Sequence, residues 1–415
     1  MALLITASQN LYAGEAIVLA PDFAISVQHE GLIHPTQITF GPDGRLYVGV
    51  QSGQIYAFDY TPRGVNGGAA LVASGVGNLL LGIGFDSTGS LYASSNEGTD
   101  DSGFLARMRD TDGDGFFETI DKFVTGLPNR GHHNDQLAID GRTLYVGMGS
   151  RNDDGDVDDV SPIPAATMLR VDLDAVDFLS SSNLPTVYAR GLRNPFGVAL
   201  DAAGRLWCAD NGRDSPLTQE TLHRIMPHAH HGFPAESAPS DAIAPITTLG
   251  LGTSANGFDF YPSDGRWGTA FSGNIFLTRF DFELNDPEGI GQDVVRIMLD
   301  EATPGLPKAT VDLFARGLRR PLDAEIDPYG NLLIMEYGSY SGAIPGRIQR
   351  IAALIGADHD RDSDVDMRDV AALQTCFAGT FAPEEPSNCA TFDSNVNHSI
   401  DFADVLAFLA VFAGT

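Results

Sequence analysis

The chain alternates short apolar runs with glycine-containing turns, and one such unit recurs along most of its length. Each unit consists of a turn with Gly and an apolar run that carries an aromatic residue or Leu. The six units occupy residues 43–48, 89–93, 141–146, 204–208, 273–277 and 330–334. A second apolar run precedes several of them, as at 38–40 and 198–200. Because a tight turn between apolar runs is typical of a hairpin, each unit predicts a turn that leads into a β-strand.

The spacing of these units predicts how the strands are arranged. Successive units lie roughly 45 to 70 residues apart, which is the length of a four-stranded propeller blade with loops of variable length. No sustained helical period lies between the units, which argues against a βαβ fold. A long β-sandwich is the alternative all-β fold, but the regular repeat favours a propeller. We therefore predict an all-β protein with a six-bladed β-propeller over residues 20–353.

Composition and charge narrow the functional classes. Glycine occupies 46 of the 415 positions, which favours a turn-rich β-fold. The formal net charge is −30, with 55 acidic against 25 basic residues. Such a charge repels nucleic acid and anionic membrane surfaces, and it suits a protein that binds divalent cations or is located outside the cell. A soluble acidic protein with no special partner is the alternative interpretation.

Three features predict where the protein is located. Residues 1–13 have an apolar start and a small residue at a cleavage position but no basic n-region, so we interpret them as a signal-peptide remnant, with an ordinary first strand as the alternative. No apolar run is long enough to span a membrane. Cys376 and Cys389 are separated by a proline-containing loop and could form a disulfide, which requires an oxidising compartment. Cys208 lies in an apolar strand and is expected to be a buried free thiol. We therefore predict a secreted protein, either extracellular or periplasmic.

The composition changes after Ile355, which predicts a separate small domain over residues 356–415. Two acidic loops are each followed by an apolar helical stretch, at 370–377 and 405–412. Oxygen-bearing side chains occupy alternate positions of each loop and also its twelfth position, which is the spacing of an EF-type calcium loop. The predicted ligands are Asp358, Asp360, Asp362, Asp364 and Asp369 in the first loop, and Asp393, Asn395, Asn397, Ser399 and Asp404 in the second.

An apolar residue stands at the eighth position of each loop, Val365 in the first and Ile400 in the second. We expect these two side chains to anchor the loops in a small core, which a solvated acidic tail would not require. Both loops lack the usual Gly at position six and end in Asp instead of Glu. The duplicated loop and helix resemble a dockerin domain, which implies a cohesin or another cell-surface partner. A calcium-stabilised domain without a cohesin is the alternative.

A third acidic loop lies within the predicted propeller. Asp110, Asp112, Asp114 and Asp121 follow the same twelve-residue spacing. We predict that calcium binds these carboxylates and stabilises a hairpin of the second or third blade. The acidic stretch 153–159 is interpreted as a surface insertion, either another calcium loop or a solvated one.

Three stretches of the predicted propeller carry a more specific pattern. Residues 126–139 include the run Gly-His-His-Asn, residues 189–212 include Gly-Leu-Arg-Asn-Pro, and residues 314–321 include Gly-Leu-Arg-Arg-Pro. Together they resemble the glucose/sorbosone dehydrogenase family, with similarity across most of residues 20–353. That resemblance implies a six-bladed propeller that uses pyrroloquinoline quinone (PQQ) and calcium to oxidise a sugar.

The resemblance also implies roles for individual residues. His132 matches the family's general base, and a histidine of near-neutral pKa suits the removal of a proton from a sugar hydroxyl. Arginines would recognise the cofactor carboxylates in a bidentate manner. The residues that match the cofactor-binding positions are Arg193, Asn194, Arg279 and Arg320. In the family a calcium ion is held partly by backbone carbonyls, which correspond here to those of Gly212 and Arg213.

Three positions depart from the family pattern. A cofactor-contacting lysine is replaced by Arg279, the second arginine of the last cofactor pair by Leu322, and an upstream glutamine by Gly77. These differences fit the sorbosone-like branch, or else indicate weak or lost cofactor binding. The expected function is a secreted, PQQ- and calcium-dependent dehydrogenase of an aldose or sorbosone-like sugar. The alternatives are a non-catalytic extracellular propeller that binds carbohydrate or protein, and a calcium-dependent lactonase.

Overall fold

A computed structural model of the chain describes residues 17–20, 23–155, 158, 162–215, 217–282, 291–300, 308–353, 367–377, 389, 392 and 399–412. The predicted signal-peptide remnant, residues 1–13, lies outside these ranges. So do the predicted calcium ligands Asp358, Asp360, Asp362, Asp364, Asp393, Asn395 and Asn397. Val365 also lies outside the described residues.

The described residues form six antiparallel sheets that follow one another along the chain as the blades of a propeller. The chain begins with β1 (Val18–Leu19) and β2 (Phe23–Leu32). The first blade contains β3 (Pro35–Phe40), β4 (Leu46–Val50), β5 (Gln54–Thr61) and β6 (Gly64–Ala73). The second contains β7 (Gly82–Phe85), β8 (Leu91–Asn96), β9 (Gly103–Arg109) and β10 (Thr119–Leu127). The third contains β11 (Asn134–Asp140), β12 (Thr143–Met148), β13 (Thr167–Asp172) and β14 (Thr186–Arg190).

The other three blades complete the ring. The fourth contains β15 (Pro195–Leu200), β16 (Leu206–Asp210), β17 (Gln219–Arg224) and β18 (Thr247–Leu251). The fifth contains β19 (Ala255–Phe260), β20 (Ile275–Phe282), β21 (Gly291–Asp300) and β22 (Lys308–Arg316). The sixth contains β23 (Pro321–Ile326), β24 (Leu332–Glu336) and β25 (Gly346–Ala353). The predicted six-bladed β-propeller is therefore confirmed.

Each repeated sequence unit is the turn and the second strand of one blade. The six second strands β4, β8, β12, β16, β20 and β24 all begin within the predicted units. In the first blade Gly44 has a φ of 78°, a left-handed conformation that Gly adopts at little cost. Asp43 closes the same turn by accepting the backbone N–H of Arg45 at 3.1 Å. The turn chemistry that predicts the hairpins is thus the chemistry that forms them.

The ring is closed by strand pairing between the two ends of the propeller. The N-terminal strand β2 pairs with β25 and becomes the outer strand of the sixth blade. Its register runs from Phe23 opposite Ala353 to Leu32 opposite Gly346. β1 pairs with β22 and adds a fifth strand to the fifth blade. The sequence repeat did not predict either pairing, because both join segments far apart in the chain.

The first strands of the blades, β3, β7, β11, β15, β19 and β23, pack around the axis of the ring, each against the next. Glycines allow this close approach. A Cβ on Gly197 would collide with the backbone oxygen of Asn256, and a Cβ on Gly257 would collide with Asp323. The apolar side chains of adjacent blades form cores between them, for example Tyr47 and Ile55 packed with Leu80 and Leu91. The inner strands are thus held at fixed distances, which fixes any side chain placed at their ends.

The C-terminal region contains α1 (Met367–Cys376) and α2 (Phe402–Phe412) around a small core of its own. Ile400 is fully buried in that core, as predicted for the eighth position of a calcium loop. Asp369 and Asp404, the twelfth-position residues, lie in the first turns of the two helices and are buried. The Cys376–Cys389 disulfide is confirmed, as is the burial of Cys208 as a free thiol. No helix in the described residues is long and apolar enough to cross a membrane.

Candidate active site

A pocket of about 300 Å³ lies on the propeller axis, at the end where the inner strands begin. Every blade contributes to its lining. The polar contributions include Thr36 at the start of β3, His132 and Asp135 at the start of β11, and Asn194 just before β15. Tyr340, from the loop between β24 and β25, stands at its edge and is 61 % exposed. Two residues predicted for the site, His132 and Asn194, are thus brought together here.

A glycine allows His132 and Asn194 to approach each other. A Cβ on Gly149 would collide with the Cβ of His132 and would lie 3.0 Å from Oδ1 of Asn194. The backbone fixes both residues, since His132 N–H donates to the Ser150 carbonyl at 3.1 Å and Asn194 N–H donates to Asp210 at 2.7 Å. The pair is therefore positioned by the ends of two neighbouring inner strands.

The electrostatic surroundings keep His132 neutral. Burial lowers the pKa of its imidazole to about 4, and the nearby positive charge of Arg193 acts in the same direction. Burial likewise lowers the pKa of the adjacent His133. At neutral pH the His132 ring is consequently unprotonated, which is the state that a general base requires.

Several polar atoms of this pocket have no partner in the protein. Thr36 Oγ1, His133 Nδ1, Asp135 Oδ2 and Asn194 Oδ1 are all buried and accept or donate no hydrogen bond. Each buried polar atom without a partner costs about 1–3 kcal/mol. Such a cluster is uncommon in a folded protein and is offset when a ligand or ordered water completes the hydrogen bonds. The axial pocket therefore has the character of a binding site for a polar ligand.

The structure places Arg193 and Arg279 outside the lining of the axial pocket, in ion pairs within the protein. Arg193 Nη2 lies 2.7 Å from Asp153 and 2.9 Å from Asp214. Arg279 forms a bidentate pair with Asp293, at 2.7 Å from Nε and 2.5 Å from Nη2. The sequence could not reveal these acids as partners, because they are distant in the chain or lie in the acidic stretch interpreted as a surface insertion.

Arg320 is the predicted arginine that stays close to the axial pocket. Its guanidinium carbon lies 4.4 Å from the centre of the Tyr340 ring, and Nε lies 3.9 Å from Asp281. Its φ is 54°, an unusual left-handed conformation for an arginine. The backbone at Arg320 immediately precedes β23, so this conformation turns the chain into the inner ring beside the pocket.

Gly212 and Arg213 line a second pocket, of about 340 Å³, in the fourth blade. The Arg213 carbonyl already accepts the Thr218 N–H at 3.0 Å, and the Arg213 side chain pairs with Glu236 at 2.6 and 2.9 Å. His223 also lines this pocket. The predicted set is therefore divided between two pockets, and calcium binding by the two carbonyls stays a prediction.

Comparison with known proteins identifies the family. A model of the Glucose / Sorbosone dehydrogenase family matches residues 32–276, more than half of the chain. The chain belongs to the glucose/sorbosone dehydrogenase family. No curated protein matches its sequence.

Solved structures share the propeller fold with this glucose/sorbosone dehydrogenase family member. The holo PQQ domain of pyranose dehydrogenase from Coprinopsis cinerea is 16 % identical with a TM-score of 0.66, covering 81 % of this chain and 97 % of that one. PQQ-bound aldose sugar dehydrogenase from Streptomyces coelicolor is 19 % identical with a TM-score of 0.60, covering 81 % and 100 %. The apo soluble aldose sugar dehydrogenase from Escherichia coli is 18 % identical with a TM-score of 0.59, covering 80 % and 99 %.

The structure gives physical meaning to two departures from the dehydrogenase family pattern. Gly77 has a φ of 74°, and a Cβ there would collide with Ser95 and lie 2.6 Å from the backbone oxygen of Asn96. Local packing therefore excludes a glutamine at this position. Leu322 does line the axial pocket, where it replaces a charged side chain with an apolar surface.

The acidic hairpin of this family member lies between β9 and β10, in the second blade, which is one of the two blades predicted. Side-chain oxygens of Asp110, Asp112 and Glu118 lie within 4.8 Å of one another. Asp121, the twelfth-position ligand of the predicted set, pairs in the structure with Arg107 at 3.0 Å and Arg109 at 2.8 Å, and calcium binding by this loop stays a prediction. Asp121 lies in β10 directly opposite Arg107 of β9, so strand pairing directs its carboxylate to the arginines. Glu118, the ninth residue of the loop, is the third carboxylate of the cluster that the structure brings together.

Sequence analysis missed Asp135, Thr36 and Glu118 as site residues. A signal existed for Asp135, which is a charged residue directly after the Gly-His-His-Asn run, and for Glu118, which follows the Asp-x-Asp-x-Asp-Gly pattern at a ligand spacing. No local signal distinguishes Thr36, because its position on the axis depends on how six strands assemble.

Proposed function

We propose that this family member is a PQQ-dependent sugar dehydrogenase whose reaction takes place in the axial pocket. The observation that carries the proposal is a neutral, buried His132 beside buried polar atoms that lack partners. The PQQ-containing proteins that share its fold support the same assignment. A pocket of a few hundred Å³ with apolar walls and a few polar groups is also within the range of sites for small cofactors.

The residues present fit PQQ as a polar, carboxylated ligand. Thr36, His133 and Asn194 offer unused hydrogen-bonding atoms, and Arg320 provides the nearby positive charge. Arg193 and Arg279 are engaged elsewhere and are not needed for this arrangement. When bound, PQQ would supply a two-electron acceptor.

The chain's own residues would carry the proton chemistry and the positioning. His132 would accept the proton of the sugar hydroxyl at its imidazole, because that ring is unprotonated at neutral pH. General bases of this kind contribute about 10²–10⁴-fold to the rate. Phe196, Phe280 and Leu322 give the pocket apolar walls that limit access of water. Tyr337 donates to Gln51 at 2.6 Å, which holds that edge of the pocket in place.

Calcium, export and a partner belong to the same proposal. Asp110, Asp112 and Glu118 would hold calcium in the second blade, since hard carboxylate oxygens gather there. The Cys376–Cys389 disulfide supports an oxidising compartment. The C-terminal helices with buried Asp369 and Asp404 support a dockerin-like unit that binds a cohesin or another cell-surface protein.

A second candidate function is a non-catalytic propeller that binds carbohydrate or protein. The observation that favours it is the neutralisation of Arg193 and Arg279 by Asp153, Asp214 and Asp293, which leaves less positive charge for an anionic cofactor.

Reconstitution separates the two functions. The purified protein is titrated with PQQ in excess calcium, followed by absorbance, and then assayed on a panel of aldoses with an artificial electron acceptor. Saturable binding with sugar-dependent dye reduction supports the dehydrogenase. Absence of binding at micromolar PQQ would refute it and favour the binding propeller.

A further inference from the structure

Asp135 is a buried carboxylic acid at the floor of the axial pocket. It is the second residue of β11, is 2 % exposed, and lines the pocket together with His132 and Asn194. Its Oδ2 atom is buried and has no hydrogen-bond partner. The proposed reaction assigns it no role.

Three other acids near the axis accept backbone hydrogen bonds, in contrast to the buried Oδ2 atom of Asp135. Asp323 accepts the Ile38 N–H at 2.9 Å, and Asp259 accepts the Ile326 N–H at 2.8 Å. Asp210 accepts the backbone N–H groups of Arg193 and Asn194. A carboxyl that serves only the fold would be expected to have such partners.

The surroundings favour the protonated form of Asp135. Burial disfavours its charged form, the neighbouring Asp210 adds repulsion whenever it is itself ionised, and the two histidines of the same pocket are neutral because burial lowers the pKa of each. No ion pair to Asp135 is present among the described residues. Burial therefore raises the pKa of Asp135 well above its usual value, and the neutral acid retains a proton that it can donate.

We propose that Asp135 is a ligand-binding residue that donates a hydrogen bond to an acceptor oxygen of the molecule in the axial pocket. The inference rests on the proposed function in one respect, namely that PQQ is that molecule. Asp135 is kept in an environment that is unfavourable for the free protein because the bound ligand completes its hydrogen bonding. Functional residues commonly carry such a cost in stability.

The test compares two variants of Asp135 with one control. Asp135→Leu keeps the approximate shape and removes the polar atoms, whereas Asp135→Asn keeps a donor group. The control is Asp323→Leu, which removes an equally buried carboxyl of the same inner ring that does have a backbone donor. The measurements are the melting temperature without PQQ and the Kd for PQQ from absorbance titration.

We expect Asp135→Leu to raise the melting temperature without PQQ by about 2 °C or more, because an unsatisfied buried group is removed. The same variant should weaken PQQ binding by about tenfold or more. Asp135→Asn should keep the Kd within about threefold, since its amide still donates. Asp323→Leu should lower the melting temperature, because the Ile38 N–H loses its acceptor.

The outcomes separate this inference from the proposed function. A lower melting temperature for Asp135→Leu with unchanged PQQ affinity would overturn the inference and make Asp135 a structural residue. Calcium that stabilises the wild type but not Asp135→Asn would also overturn it, in favour of a metal ligand. If the wild type binds no PQQ, the proposed function fails. The melting temperature of Asp135→Leu without PQQ then decides the inference alone: a rise supports a role for Asp135 toward another polar ligand, and a fall overturns it.

Discussion

Replacing Arg279 with Met should destabilise the propeller without affecting the axial pocket. Arg279 and Asp293 are 8 % and 1 % exposed, and the guanidinium also donates to the Leu249 carbonyl at 3.2 Å. Removing one partner of a buried ion pair typically costs about 3–5 kcal/mol, because the other charge is left uncompensated. Asp293 keeps the Gly291 N–H as a donor at 3.1 Å, so we expect a loss near the lower end, about 3 kcal/mol.

Urea unfolding of the wild type and the variant measures this loss as a shift of the midpoint at constant m-value. Arg319→Met is the matched control, because it removes an exposed ion pair with Glu30 that should contribute less than about 1 kcal/mol. Asp293→Leu combined with Arg279→Met should recover part of the stability. Unchanged stability together with at least tenfold weaker PQQ binding would refute this reasoning and restore Arg279 to the cofactor site.

Three further predictions concern protons and calcium. Burial raises the pKa of Asp323 to about 8 and of Asp210 to about 7, so the folded protein retains protons that the unfolded chain releases above about pH 4. The free energy of unfolding should therefore fall from pH 5 to pH 8. Equal urea midpoints at the two pH values would contradict this. Turnover should rise with pH through the His132 pKa of about 4. The variant His132→Ala should lose about 10²–10⁴-fold in kcat while its Kd for PQQ is unchanged. Retained turnover in this variant would show that His132 is not the base. Calcium should raise the melting temperature less in Glu118→Gln than in the wild type, whereas it should raise that of Asp121→Asn as much as that of the wild type. A smaller rise for Asp121→Asn than for Glu118→Gln would instead support the predicted twelve-residue loop.

The fold was predictable from the sequence because its signals are local. A Gly turn and the apolar run after it lie within a few residues of each other, and the turn at Gly44 forms as that pattern indicates. The pairing of β2 with β25 could not be predicted, since it joins residues more than three hundred positions apart and depends on closure of the whole ring.

The site was predictable only in part, for a related reason. A motif located His132 and Asn194, and the structure places both in one pocket. The partners of Arg193 lie 21 and 40 residues away, at Asp214 and Asp153, and no pattern in the sequence pairs them with it. A motif identifies residue types, whereas the availability of a charge depends on neighbours that only the folded chain brings together.

Burial accounts for both of the proton-carrying groups in the axial pocket. The low-dielectric surroundings that keep the His132 imidazole unprotonated also disfavour ionisation of Asp135. A base that is ready to accept a proton and an acid that is ready to donate a hydrogen bond can therefore coexist at the same pH. Arg193 and Arg279 are already paired with acids, and Arg320 is the predicted arginine that lies beside the pocket. Affinity for a carboxylated ligand would therefore depend largely on neutral hydrogen-bond donors. Neutral donors are less costly to desolvate than charged ones, so such a pocket can bind an anion through the geometry of its hydrogen bonds.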